Sequence, residues 1–558
     1  MFKKSPKNCF KPVLPSSTYH SSHEGVAAAT AASAAATELH KSSNNCPLLT
    51  YFNFFLLPQV DVSVSDANYI PIELCVTSRN DEPNQVYVSS SIYTHLCDIK
   101  QQIEKYQDTW DSIKKFTNPY EYIHSNITGN KTNISKLRPL SRSFYKMIEI
   151  IKNNNILSQY QHTFAQRAES KMGIKTFHLA EGPGGFIEAI AYLRGLEYQQ
   201  RFNHSNAATV PEHETNASSS SPIHILKRNT EFHDEYMKEQ EYLKVSRRIF
   251  DTQKPASGVT PMALYGNDRY YGMTLVNDDP ICPGWKKTRT FLENNPNVII
   301  ENGADKTGNL ISLENFLYCA EKYKNKMDIV TADGGFDFSV DFNHQETMAT
   351  QLILCEVFYA LAIQKQGGSF ILKIFDVFHK ATVDILYILS YYYHQVSIIK
   401  PYTSRIANSE KYVVCQGFKI NDSTQIIRQF ASIFETIQKS LSGDDGCGGG
   451  NGGGGLSSLL PFDHDLYFLN KIEDMNAMVS FQQIENITST LSIITNHRNS
   501  EKLEQYKRSN VNKCIAWCEK YEIPHNAHHA CFQSTNIFLH KSIPSASASA
   551  TASVAEPQ

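Results

Sequence analysis

The chain has 558 residues and 12 cysteines, but no CxxC pair and no regular cysteine framework. That absence excludes a secreted disulfide scaffold and points to reduced thiols inside a cell. Long apolar runs are scarce near the N-terminus. Met1 to His20 carries lysines but no apolar signal core, and Tyr51 to Pro58 is too short to cross a bilayer. Charge of one sign is missing too: the formal net charge is −3. A nucleic-acid partner would therefore have to be met by a local basic surface rather than a global one. These absences lead us to expect a soluble, intracellular protein of nucleus or cytoplasm (or of a viral factory) with no membrane partner.

What is present is enough apolar sequence, 41%, for a sizeable core and two or three domains. Residues 1–47, with the alanine run Val26 to Thr37, read as a disordered tail, and 541–558 as another. Residues 48–136 form an N-terminal extension and 137–420 an α/β domain carrying a polar insertion at about 200–223. Residues 421–458 read as a helix followed by the glycine-rich linker Ser442 to Ser458, and 459–540 as a helical C-terminal module.

Within 137–420, strand-like and helix-like segments alternate. Lys175 to Leu179, Asn297 to Glu301, Met327 to Thr331, Ser369 to Phe375, Gln395 to Lys400 and Lys411 to Cys415 read as strands. Helical periodicity follows the glycine turn to about Arg194, and returns over Glu346 to Gln364 and Thr382 to Tyr393. A two-glycine break precedes Ser369. Such alternation predicts an α/β fold with a mostly parallel central sheet flanked by helices.

Five segments carry candidate chemistry. Glu181-Gly182-Pro183-Gly184-Gly185-Phe186 lies between a strand and a helix, where glycines let backbone approach a ligand and the helix presents free amides. Its proline interrupts the dinucleotide fingerprint, so the turn suits a nucleoside without a pyrophosphate, or a tight turn with no ligand at all. Asp333, in Thr331-Ala332-Asp333-Gly334-Gly335-Phe336, stands where open α/β sheets bind ligands, though an Asp there could equally cap the next element. Lys373, in Phe370-Ile371-Leu372-Lys373-Ile374-Phe375, has apolar neighbours on both faces of its strand, and burying an ammonium calls for a partner. The alternative is a lysine on a solvated face. Glu410, before the last strand, and Lys146, on a helix ahead of the glycine turn, would each pass singly for surface charges.

Taken in order, Lys146, EGPGGF, TADGG, Lys373 within SFILKIF and Glu410 within SRIANSEKYVV resemble FtsJ-like (RrmJ-type) ribose 2′-O-methyltransferases. The likeness covers about residues 137–420 and is greatest to the cap-specific mRNA enzymes of eukaryotes and large DNA viruses. It implies a Rossmann-like methyltransferase fold and a catalytic set of Lys146, Asp333, Lys373 and Glu410. S-adenosyl-L-methionine would be the cosubstrate, with no metal required and RNA, namely capped mRNA, as partner; ribosomal or transfer RNA, or a non-catalytic RNA-binding role, are the alternatives. The resemblance places the cosubstrate against Ala180, Glu181, Gly182, Pro183, Gly184, Gly185 and Phe186, with Asp268, Asn309 and Asp333 beside them. Asn309 stands where relatives often carry an acid, and His178 where bacterial members have Asp. Lys373 would act as base or as the group that orients the oxygen, the former requiring a lowered pKa that burial and Lys146 favour and Asp333 and Glu410 oppose.

Other features have blander readings. Cys514, Cys518, His525, His528, His529 and Cys531 could supply zinc ligands, but the two cysteines sit at helical i, i+4 spacing beside Trp517, as on a packed face. Tyr391-Tyr392-Tyr393 could stack bases or simply pack. Trp285, Lys286, Lys287 and Arg289, with Arg138, Arg142 and Arg405, are candidates for RNA contact or ordinary solvated charges.

Overall fold

A computed structural model describes residues 53–60, 70–76, 85–160, 173–207, 267–276, 284–335, 343–442, 456–496 and 500–526. Both expected tails, residues 208–223 of the insertion and residues 443–455 of the linker lie outside them.

Along the chain, β1 (Phe54–Leu56) and β2 (Cys75–Val76) precede helices α1 (Ser90–Gln101) and α2 (Gln107–Thr117). The α/β core opens with α3 (Ser143–Asn153), then β3 (Lys175–Leu179), α4 (Gly185–Ala207), β4 (Arg269–Met273), α5 (Arg289–Asn294), β5 (Val298–Ile300) and α6 (Leu313–Tyr323). It continues with β6 (Met327–Ala332), α7 (Gln345–Ile363), β7 (Gln364–Ile374), α8 (Lys380–Tyr392), β8 (Tyr393–Ile399) and β9 (Lys411–Phe418). After α9 (Thr424–Ser442) come β10 (Leu456–Ser458), α10 (Leu466–Thr495) and α11 (Ser500–Lys520).

An eight-stranded sheet in the order β1-β8-β9-β7-β6-β3-β4-β5 forms the centre. Neighbours from β7 to β5 run parallel, because a helix returns the chain to the same end of the sheet after each strand. Strand β9 enters antiparallel between β7 and β8, and β1 closes the edge antiparallel to β8. The inner strands are buried on both faces, and the polar side chains they carry inward, Thr176, His178 and Thr331, satisfy one another by hydrogen bonds. Period-2 alternation assigns the faces: Phe370, Leu372 and Ile374 of β7 enter a core with α7, α8 and α9, whereas Ile371 enters the core with α3 and α4. Helix α7 is long and apolar enough to cross a membrane, yet 78% of its apolar window is buried inside the fold.

Two differences from the sequence reading concern how the parts join. Strand β7 begins at Gln364 and runs through the glycine pair instead of starting at Ser369, with Gly367 at φ +80° taking the irregularity. The N-terminal extension also gives the main sheet its edge strand β1. Helix α2 packs Trp110 against Ile487, Leu491 and Ile494 of α10, while α11 inserts Trp517, Cys514 and Cys518 beside α3. The flanking segments thus stand over the carboxyl end of the sheet.

Cys514 and Cys518 are buried in that packing, and Cys514 Sγ faces the Pro119 carbonyl at 3.4 Å. His528, His529 and Cys531 lie outside the described residues; among the described ones no group of three or more His, Cys, Asp or Glu could hold a metal ion. Tyr392 and Tyr393 are fully buried packing residues, the one ending α8 and the other opening β8.

Candidate active site

The chain after β3 turns into α4 and the chain after β6 turns towards α7, so a crevice opens at the carboxyl ends of these two neighbouring strands. A cleft of about 930 Å³ occupies it, lined at one end by Ala180, Glu181, Pro183, Leu275, Asn309 and Ile311, and in the middle by Asp333, Lys373 and Glu410. The far end reaches Trp110, Asp111, Lys114 and Asn118 of the N-terminal extension and Gln483 of α10.

Lys146 is held on α3, with its ammonium buried and 2.6 Å from Glu410 Oε1. Lys373 lies near the end of β7, donates to the Asp333 carbonyl at 2.7 Å and stands 3.2 Å from Asp333 Oδ1. A residue that sequence reasoning missed joins the two pairs. Tyr412, opposite Lys373 in the β7–β9 register, donates its hydroxyl to Asp333 Oδ1 at 3.1 Å and receives Lys146 Nζ at 3.4 Å. Four charges and one phenol thus form a continuous network with alternating sign.

The electrostatics decide a direction that the sequence left open. Burial alone would lower the Lys373 pKa, but the Asp333, Glu410 and Glu356 carboxylates outweigh it and the pKa is raised. Lys373 is therefore an ammonium in the free protein, not a lysine poised near neutrality. Burial does lower the Lys146 pKa, with Glu410 opposing and Arg142 adding to the shift. Glu410 stays ionised: burial works against it, but Lys146, Lys373 and Arg142 hold it well below the usual carboxylate range.

The loop that carries Glu410 is fixed from several elements. Buried Lys400 donates to the carbonyls of Asn408 and Glu410, at 2.5 and 2.9 Å. Glu149, one turn beyond Lys146 on α3, accepts from the Tyr402 amide at 2.7 Å and from Trp517 Nε1 at 3.2 Å. Arg405 makes a two-point contact with Glu121, and Gln483 of α10 donates to the Ala407 carbonyl at 2.8 Å. Lys100 of α1 bonds Ser409 at 3.0 Å. None of these anchors has a local sequence signal.

The glycine turn divides in two. Ala180 to Pro183 line the cleft, whereas Gly184, Gly185 and Phe186 stand behind it. A side chain at Gly185 would collide with Ser143 Oγ at 2.2 Å, so that glycine serves the contact between α4 and α3, and Phe186 is a core residue packed near Tyr412. Asn309 does line the cleft; its loop approaches β4 so closely that a Cβ on Gly308 would meet the Thr274 carbonyl at 2.0 Å. Asp268 does not reach the cleft. It precedes β4 at the amino end of the sheet, fully buried, bonded to Arg194 at 2.9 and 3.2 Å and to the Ile174 amide at 2.8 Å. The resemblance implied a ligand contact; the actual partner is an arginine 74 residues earlier. His178 bridges Thr176 and Thr331 from inside the sheet, and burial pushes its pKa down to about 3, so it is neutral. Arg142 and Arg405 line the cleft, while Arg138, Lys286, Lys287 and Arg289 are exposed away from it.

The fold and this cluster define a Rossmann-like enzyme domain with a nucleoside-sized turn beside a Lys–Asp–Lys–Glu group. The FtsJ-like methyltransferase family model matches residues 139–418, and the chain belongs to that family. It is 31% identical over 194 residues to the cap-specific mRNA (nucleoside-2′-O-)-methyltransferase 1 of Trypanosoma brucei brucei, over 34% of this chain and 49% of that one. It is 37% identical over 136 residues to the protein of the same name from Danio rerio, over 23% and 16% of the two chains. An inactive cap-specific mRNA (nucleoside-2′-O-)-methyltransferase 1B of Caenorhabditis briggsae is 28% identical over 193 residues, 32% of this chain and 22% of that one. The matches thus take in about half of the first relative and less than a quarter of the other two. Because relatives include a protein named inactive, the four charged side chains carry more weight here than the likeness itself.

Proposed function

We propose that this chain transfers a methyl group from S-adenosyl-L-methionine to a ribose 2′-hydroxyl of RNA, and that the RNA is capped mRNA near its 5′ end. The observation that carries the reading is that Asp333, Lys373 and Glu410 line a cleft that continues to the glycine turn, with Lys146 paired to Glu410 and Tyr412 bonded to Asp333 from behind its wall.

The cosubstrate end has suitable lining. Leu275, Leu310 and Ile311 offer an apolar slot for a purine, and Thr274 and Asn309 sit beside it. Glu181 lines the same end with Oε2 unpartnered, an acceptor ready for a cationic or N–H group. When bound, S-adenosylmethionine supplies an electrophilic methyl on a sulfonium. This chain's residues position the oxygen behind it, which is where most of the rate of an in-line displacement originates. Lys373, held protonated, takes the orienting role: its ammonium donates to the ribose oxygen and stabilises charge that develops there. Asp333 accepts the hydroxyl proton as the oxygen–carbon bond forms, and Lys146 with Glu410 fixes Tyr412, which aligns Asp333.

Support for a capped substrate comes from the far end of the cleft. Trp110, Lys114 and Arg405 line it, as do Asn118 and Gln483, whose buried side-chain oxygens have no partner. Aromatic surface, cationic groups for phosphates and free acceptors for base N–H groups suit a nucleotide held beyond the reacting ribose. Capped and uncapped RNAs of identical sequence, assayed for ribose methylation, test the reading: transfer to the capped RNA alone supports it, and equal transfer to both favours another RNA substrate.

A further inference from the structure

Resting on the reading just given, one buried group near the cleft has no part in it. Glu356 of α7 is fully buried, with no side-chain hydrogen-bond partner and only the Gly334 amide close enough to favour its carboxylate. It lies directly beneath the turn after β6: a Cβ placed on Gly334 would stand 2.2 Å from Glu356 Oε1, and the residues on either side of Gly334, Asp333 and Gly335, line the cleft. Leu352, one turn earlier on the same helix, lines it as well.

A buried carboxyl with no side-chain partner is unfavourable, and packing alone would be better served by a methionine. The charge balance indicates what it answers to. Lys146 cancels Glu410 and Lys373 cancels Asp333, each in direct contact. Glu181 and Glu356 are then buried carboxyls without a cationic hydrogen-bond partner among the described residues. Glu181 uses Oε1 to accept the Phe186 amide at 2.5 Å and leaves Oε2 free at the cosubstrate end. Arg142, which also lines the cleft, adds a third cation to Lys146 and Lys373, so with all four carboxyls ionised the cleft has capacity for one more positive charge.

We infer that Glu356 makes the cleft selective for a sulfonium nucleoside over the corresponding neutral thioether, so that the reactive cosubstrate is retained and the demethylated product is released. Glu356 acts through the field it sets up under the Asp333–Gly335 turn and touches neither nucleoside. It is a specificity-determining residue, not a catalytic one. In the free protein burial pushes its carboxyl up to about 8, with Lys373 and the Gly334 amide pulling it down and Asp333 pushing it further up. A cation arriving in the cleft favours the carboxylate, so binding near neutral pH releases the Glu356 proton to solvent, and binding of the thioether does not.

The test is calorimetric titration of the full chain and of Glu356→Gln with S-adenosylmethionine and with S-adenosylhomocysteine, at pH 8.5 and, near neutrality, in two buffers of different ionisation enthalpy. The expected result is thioether affinity unchanged in the variant and a preference for the sulfonium reduced on the order of tenfold, the scale of one charge interaction inside a protein. Wild type should release protons on binding the sulfonium, and the variant should release fewer. An unchanged preference in Glu356→Gln overturns the inference and leaves the methyltransferase reading standing. Failure of wild type to bind either nucleoside overturns both. Should Glu356→Gln bind neither, Glu356→Met takes its place: sulfonium-specific proton release as large as in wild type defeats the inference, and a smaller release supports it.

Discussion

Glu149 offers a perturbation whose magnitude follows from the structure. It is fully buried on the helix of Lys146 and holds the loop of Glu410 through the Tyr402 amide, with Trp517 of α11 on its other side. Burial raises its pKa from 4.5 to about 7, the bonds from Tyr402, Trp517 and Thr403 pulling it partly back. The folded chain thus binds a proton that the unfolded chain has lost above pH 4.5. The associated stability is complete in acid and fades as pH rises through 7. Between pH 6 and pH 8 this one group removes about 1 kcal/mol from the folding free energy. Glu149→Gln cannot ionise, keeps an acceptor oxygen for the loop and should lose that part of the slope. Urea unfolding at pH 6 and pH 8 measures it: the wild-type free energy should fall by about 1 kcal/mol more than that of the variant. Equal slopes in the two proteins would refute the reasoning, because Glu149 would then titrate alike in the folded and unfolded chain.

Other changes isolate other links. Tyr412→Phe removes the hydroxyl between Lys146 and Asp333 and should lower kcat about tenfold or more with KM for RNA little changed, the scale of a hydrogen bond to a charged group; steady-state kinetics reads the split. Asp268→Ala leaves the buried Arg194 guanidinium with Glu197 as its remaining ion-pair partner and should destabilise the fold by about 2–3 kcal/mol in urea unfolding, while the folded fraction binds S-adenosylmethionine normally. A selective loss of cosubstrate affinity there would restore Asp268 to the site. Lys114→Ala, at the far end of the cleft, should weaken RNA binding and reduce the slope of log affinity against log salt by about 1, as measured by fluorescence anisotropy.

Legibility from sequence followed the range of the interaction. Lys175–Leu179 was legible through the glycine turn that ends it, and Met327–Ala332 through its β-branched centre, both local signals. Asp333 stood out beside two glycines, Lys373 among apolar neighbours on both faces of its strand, and Lys146 and Glu410 through their order along the chain. Tyr412 did not stand out, because a tyrosine in an apolar strand looks like core until its hydroxyl is seen between two ion pairs. Trp110, Glu149 and Gln483 were silent for a different reason: their partners lie in remote segments, and amphipathic helices record that a face is buried but not against what. Asp268 misled in the same way, its arginine being supplied by α4. The sequence left the direction of the Lys373 shift open between burial and its acidic neighbours; Asp333 and Glu410 decide it, with Glu356 adding to them.

Mass spectrometry of a defined capped RNA, incubated with S-adenosylmethionine and either the wild-type chain or Lys373→Ala, tests the central assignment. The account predicts one added methyl on a ribose near the cap with wild type and none with the variant, whose affinity for S-adenosylmethionine remains. A methylated product from Lys373→Ala at near-normal rate, or a methyl found on a base, would contradict it.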